Sequence, residues 1–175
     1  MEDLASKTVY GIDVVFKNSQ IYNLPVKYGG DFGPDLGKVA EECGLSEGQV
    51  VKLHSGIDYR VFMLGFAPGF PYLGGMDDRL FCPRLKTPRL KVLAGSVGIA
   101  ESQTGVYPND SPGGWQIIGR TPILLFDANQ DPPCLIQPGG YVRFVPITES
   151  EFASIKNKVK NGNYEISTER AGNLQ

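Results

Sequence analysis

A single histidine, His54, and a single tryptophan, Trp115, stand in a chain of 175 residues, so imidazole chemistry falls to His54 or to nothing. The three cysteines, Cys43, Cys82 and Cys134, are odd in number and show no CxxC spacing, which argues against a disulfide framework or a zinc site. No second histidine and no Asp/Glu cluster offers metal-ligand spacing, and no G-x-S-x-G elbow is present. The net charge of −2 gives no bulk attraction to nucleic acid or to an anionic membrane. No apolar run approaches the length of a membrane span, and the acidic start at Glu2 and Asp3 is unlike a secretory signal. A soluble protein in a reducing, cytoplasmic setting is the expectation.

What the chain does have is glycine (22), proline (13) and a good share of β-branched and aromatic residues, a balance that favours short strands joined by tight turns. Strands are predicted at Thr8–Phe16, Gln20–Val26, Tyr59–Leu64, Ser96–Ala100, Thr104–Tyr107, Trp115–Gly119, Ile123–Asp127 and Tyr141–Ile147. Leu36, Val39, Ala40 and Cys43 at i, i+3, i+4, i+7 predict a helix, with Pro34 at its first position and Gly44 closing it. Ser46 with Gln49, and Thr148 with Glu151, are capping-box signatures for two more helices. Ser167–Gln175 reads as a loose polar end. Strands so closely spaced leave no room for repeated βαβ crossovers. A closed or nearly closed barrel removes the edges they would otherwise expose.

Residues 64 to 75, Leu-Gly-Phe-Ala-Pro-Gly-Phe-Pro-Tyr-Leu-Gly-Gly, are the most informative stretch. Glycines and prolines stiffen the segment, while Phe66, Phe70 and Tyr72 are large enough to wall a pocket. Arg84, Lys86, Arg89 and Lys91 follow, with Arg120 further on; they read either as an anion clamp or as a charged edge strand. Gln103, Thr104 and Tyr107 precede Trp115, which either caps the core or walls a pocket with hydrogen-bonding neighbours. His54, beside Val50 and Leu53 at a helix end, either caps that helix or works on a ligand. Gly95-Ser-Val-Gly98 lacks the lysine of a phosphate loop and the spacing of a dinucleotide fold.

Taken in order, Tyr28-Gly-Gly-Asp-Phe-Gly-Pro-Asp-Leu36, Leu53-His54-Ser55, Gly65 to Gly75, Pro83-Arg-Leu-Lys-Thr-Pro-Arg89, Gly95 to Ala100, Gln103-Thr-Gly-Val-Tyr107 and Ser111 to Pro122 resemble one family. It is the allophanate hydrolase subunit 1 family, which includes the B-type subunit of 5-oxoprolinase and the KipI kinase inhibitor. The resemblance runs from about Leu24 to Ile147 and implies a mainly β, cyclophilin-like closed barrel with two or three short helices. Residues 24–162 are then the barrel, 1–23 an extension or linker remnant, and 163–175 a polar tail. Full-length members carry an α/β domain ahead of the barrel, which the residues before Leu24 are too few to form.

The resemblance implies one component of an ATP-dependent complex that opens 5-oxoproline to glutamate, a component inactive alone. Its partners would be a sister barrel of the C type in 5-oxoprolinase (allophanate hydrolase subunit 2) and a 5-oxoprolinase protein of the A type. It also implies two alternatives: a part in urea carboxylation, and a KipI-like module docking on a sensor histidine kinase. ATP is expected at the level of the complex, with no cofactor assigned to this chain. Within the shared motifs, His54, Arg84 and Arg89 are expected to be catalytic. Arg84 and Arg89 would hold a carboxylate or phosphate, and His54 would relay a proton. Phe66, Phe70, Tyr72, Gln103, Tyr107, Trp115 and Arg120 are expected to bind substrate.

Overall fold

A computed structural model describes residues 19–171. Ten strands and three helices follow one another as β1 (Gln20–Tyr28), α1 (Leu36–Glu42), α2 (Glu47–Ser55), β2 (Asp58–Leu64), β3 (Pro71–Gly74), β4 (Arg89–Val92), β5 (Ser96–Ala100), β6 (Gln103–Val106), β7 (Ser111–Gly113), β8 (Gln116–Arg120), β9 (Tyr141–Pro146), α3 (Glu149–Lys160) and β10 (Thr168–Arg170). Seven strands close a barrel in the order β1-β8-β5-β6-β3-β2-β9, and β9 returns to β1. That last pairing is parallel, in register from Ile21 opposite Tyr141 to Val26 opposite Pro146. β10 adds to β1 over Gln20–Tyr22, and β4 with β7 forms a separate two-stranded ribbon. The mainly β, closed-barrel expectation is met, with three helices. No helix among the described residues is long and apolar enough to cross a membrane.

Both capping boxes form as the sequence predicts, Ser46 with Gln49 on α2 and Thr148 with Glu151 on α3. Other expectations shift. Pro34 lies ahead of the helix rather than in it, because Asp35 is the N-cap residue. The Asp35 carboxylate does not cap; it turns inward to accept the Ile117 N–H at 2.6 Å. Ile123–Asp127 is not a barrel strand: Leu125 O accepts from the Leu135 N–H, and the Asp127 N–H donates to Pro133 O, so the segment pairs with its own downstream chain. Pro71–Gly74, unassigned from sequence, is β3, with Pro71 at the first strand position where its missing N–H costs no ladder bond. The strand predicted at Gln20–Val26 forms and runs on to Tyr28, while Thr168–Arg170, read as part of a loose polar end, is a strand paired with it. The strand expected at Thr8–Phe16 lies outside the described residues.

Leu24, Val26, Tyr59, Val61, Ile99, Ile118 and Phe144 fill the barrel interior at 1% exposure or less. α2 lays His54 among them. The imidazole is fully buried and lies against the Phe144 ring at 4.5 Å between centroids. Its Nδ1 is 2.8 Å from Tyr28 Oη and its Nε2 2.7 Å from Thr104 Oγ1. Thr104 donates its own hydroxyl proton to Gly98 O, so it must accept from His54 Nε2–H. Nδ1 is then left to accept the Tyr28 proton. The result is a directed relay of bonds from β1 through α2 and β6 to β5, with the imidazole neutral. Burial pushes the His54 pKa down to about 3. Tyr28 is pushed well above its ordinary value by the same burial.

Gly33 shows how close the packing is. A Cβ added there would land on the Ile118 carbonyl of β8, which is backbone and cannot step aside.

Two expected outcomes follow from this core. The folded state refuses a proton at His54 until about pH 3, whereas an unfolded histidine takes one near its ordinary value of 6.5. This group's contribution is therefore full above that value and is lost as pH falls below it, by about 1.4 kcal/mol per pH unit. Urea unfolding at a series of pH values will show the acid loss, and His54→Gln will flatten it by about one proton equivalent. Gly33→Ala will cost about 3 kcal/mol in the same assay, the upper end for overpacking against a rigid neighbour.

Candidate functional site

The 65–70 segment is the loop between β2 and β3, closed where the Gly65 N–H donates to Phe70 O at 3.1 Å. It turns Phe70 inward to 3% exposure and leaves Phe66 outside at 71%. Phe70 is the hub of an aromatic cluster in which every neighbour meets it edge-on or tilted. Phe66 and Tyr72 lie at 5.5 Å, Tyr107 and Trp115 at 5.6 Å, the last two nearly perpendicular. Edge-to-face contacts of this kind stabilise ring positions beyond simple burial. The rings approach so closely because Gly105 lies beneath them, where an added Cβ would stand 3.1 Å from both Phe70 and Trp115. Gly113 is likewise pressed onto the Tyr107 hydroxyl.

These rings wall a cavity of about 420 Å³, completed by Arg84, Pro88, Gln103, Pro112, Gly113 and Gly114. Seven sequence-predicted residues meet there: Phe66, Phe70, Tyr72, Arg84, Gln103, Tyr107 and Trp115. Arg84 and Gln103 supply the polar end, both solvent-accessible, with the Arg84 Nε 3.5 Å from Glu101 Oε1. Burial raises the Tyr107 pKa, so its hydroxyl stays protonated at neutral pH. The site combines a flat apolar wall with one guanidinium and one amide, which suits a small ring or planar compound carrying an anionic group.

Three predicted residues stand elsewhere. His54, expected to relay a proton, is sealed in the barrel interior and lines no part of this cavity. The Arg89 guanidinium is committed to the Asp35 carboxylate at 2.7 Å and reaches Trp115 O at 3.4 Å. It thereby ties the Trp115 backbone to the start of the first helix and lines no part of this cavity. Arg120 donates to Ala94 O at 3.3 Å, outside the cavity lining. Sequence reasoning missed Glu101, Asp35 and Pro88. Asp35 and Arg89 are 54 residues apart, and no local pattern signals a pair at that separation.

A larger cavity, about 670 Å³, lies between the 123–137 segment and the chain around Tyr164–Thr168. Its charged lining groups are Asp127 and Asp131, and it holds none of the predicted site residues. Volume alone does not make it the site. Cys82 is buried, with its pKa pushed up to about 11, so its thiol is inert at neutral pH. Among the described residues no group of three or more His, Cys, Asp or Glu is placed to hold a metal ion.

Residues 11–136 match the family described as carboxyltransferase domain, subdomain C and D. The chain is 58% identical over 131 residues to the B-type subunit of 5-oxoprolinase from Escherichia coli O157:H7, a match covering 75% of this chain and 60% of that protein. The chain thus spans well under the full length of this curated relative. A conserved uncharacterized protein of Pyrococcus horikoshii superposes with a TM-score of 0.74 at 53% identity, over 84% of this chain and 66% of that one. The urea amidolyase of K. lactis superposes with a TM-score of 0.74 at 25% identity, over 88% of this chain and 11% of that one. The match covers well over half of the chain, and the chain belongs to the carboxyltransferase domain family, subdomain C and D.

Proposed function

We propose that this chain is the barrel portion of the B-type component in an ATP-dependent 5-oxoprolinase complex, and that its aromatic cavity contributes part of the site for 5-oxoproline. The observation that carries the reading is the 58% identity to a B-type 5-oxoprolinase component across three quarters of the chain. The chemistry of the cavity supports it. 5-Oxoproline is a five-membered lactam with one carboxylate. Its ring faces suit the Phe70, Tyr107 and Trp115 walls, its carboxylate suits Arg84, and its amide suits Gln103.

Opening the lactam breaks its ring C–N bond with addition of water, and ATP drives that step at the level of the complex. This chain is not fitted to hold the nucleotide through its glycine-rich segment. Gly95 and Ser96 donate their N–H groups to Tyr107 O and Leu93 O, and Ser96–Ala100 is a fully buried strand. These two amides are committed within the fold rather than presented to a phosphate. The barrel therefore supplies binding and orientation, and it is inactive without an A-type protein and a sister barrel of the C type.

A second reading is favoured by the likeness to urea amidolyase, in which the barrel would take part in carboxyl transfer to or from a small planar amide. The cavity accommodates that chemistry as well. Docking on a sensor histidine kinase rests on the sequence resemblance alone.

The test is ATP-dependent release of glutamate from 5-oxoproline by this chain mixed with its two proposed partners, each omitted in turn. Loss of glutamate release when this chain is left out is the expected result. A complete, assembled mixture that releases none would turn the reading toward carboxyl transfer. Within an active complex, Arg84→Ala is expected to raise KM for 5-oxoproline about 10- to 100-fold, the worth of a charge-assisted hydrogen bond, with a smaller effect on kcat. Arg89→Ala is expected instead to shift the Trp115 fluorescence of the unliganded chain, because it removes the hydrogen bond that holds the Trp115 carbonyl.

A further inference from the structure

Two non-glycine residues among those described have positive φ, Phe66 at 64° and Glu101 at 57°. Both flank the aromatic cavity: Phe66 lines it, and Glu101 contacts its guanidinium. Left-handed backbone is costly for a side chain larger than glycine or asparagine, and such strain gathers at working sites. At Glu101 the backbone has its own reason to adopt this shape. It bridges Cys82 in both directions, with Glu101 N–H to Cys82 O at 2.6 Å and Cys82 N–H to Glu101 O at 3.3 Å. Glycine would make the same bridge without strain. The carboxylate is the part that the fold does not require.

We propose that Glu101 sets the affinity of the cavity for anionic ligands, competing for the Arg84 guanidinium so that a ligand carboxylate must displace it to bind there. The inference rests on the reading that this cavity takes 5-oxoproline. Arg84 follows Cys82 by two residues, and the isolated Cys82–Glu101 bridge keeps the backbones from which the two side chains spring close together. The Arg84 and Glu101 side chains are 52% and 56% exposed, and an ion pair that open to water is weak enough to exchange. A carboxylate entering from the ring side takes over the guanidinium while Glu101 swings into solvent. A neutral lactam has nothing to offer Arg84, so the competition leaves its binding untouched. Glu101 thus sets the affinity for the anion below what the guanidinium alone would give.

The experiment titrates 5-oxo-L-proline and 2-pyrrolidinone, the same ring without its carboxylate, into the full chain and into Glu101→Gln and Glu101→Gly. Binding is followed by Trp115 fluorescence and by calorimetry, with KM of the assembled complex as a further readout. Both variants are expected to bind 5-oxo-L-proline about threefold more tightly and to bind 2-pyrrolidinone as the parent chain does. Tightening in Glu101→Gly alone would assign the effect to relief of strain and overturn the charge argument. Equal tightening for both lactams, or none for 5-oxo-L-proline, would overturn it as well. If 5-oxo-L-proline binds neither the parent chain nor the assembled complex, the placement of substrate in this cavity fails first and takes the role of Glu101 with it.

Discussion

One seam holds the molecule closed. β1 and β9 run parallel over six residue pairs, and without them the sheet would end in two apolar edges. The outer side of the seam is tied by charge. Arg143 on β9 grips Asp58 of β2 through both carboxylate oxygens, at 2.6 and 2.8 Å, and reaches Glu169 of β10 at 2.9 Å. Glu169 also accepts from Asn23 of β1 at 2.8 Å, so four strands meet in one cluster. Hydrogen bonds to Asp58, the largest cause, and to Glu169 raise the Arg143 pKa far above its ordinary value. The inner side is tied by the Tyr28–His54–Thr104–Gly98 relay, which can run only because closure brings β1 within reach of α2 and β6. The cavity walls on β3 and β6 inherit their rigidity from this arrangement.

Much of the fold is legible in the sequence because its signals are local. The capping boxes at Ser46 and Thr148 depend on three-residue spacings, and both form. Ser96–Ala100 and Tyr141–Pro146 are short apolar runs bounded by turn residues, and both are strands. Ile123–Asp127 misleads for the same reason that it attracts. Ile123 and Leu125 are buried, but burial is shared by strands and by loops that fold back on themselves, and composition does not separate the two. β10 is hidden differently. Thr168, Glu169 and Arg170 are all exposed, and only the free edge of β1, a long-range feature, makes them a strand.

The aromatic half of the site is likewise readable, since bulky rings among glycines and prolines have few other uses, and Phe66, Phe70, Tyr72, Tyr107 and Trp115 do meet. The charged half is not. Arg84 and Arg89 sit in near-identical surroundings in the echoed Pro-Arg-Leu-Lys sequence, yet one faces the cavity and the other is neutralised by Asp35. Which arginine is available depends on where carboxylates arrive from distant segments. His54 illustrates the same gap: a lone histidine at a helix end favours a structural reading without deciding it, until the Tyr28 and Thr104 hydroxyls are placed around it.

Gly105 and Gly113 give the cavity its dimensions by what they lack. A methyl group at either would meet a ring or its hydroxyl before it met a ligand. The boundary between Phe70, Tyr107 and Trp115 is therefore drawn from beneath, by backbone hydrogens, as much as by the rings themselves. For a lineage drifting toward a new substrate, this couples positions that look independent. A smaller aromatic would open a void above a glycine, and a larger residue in place of the glycine would have nowhere to go unless the aromatic had already shrunk. Enlarging a residue at either glycine thus requires a compensating change in the ring above it.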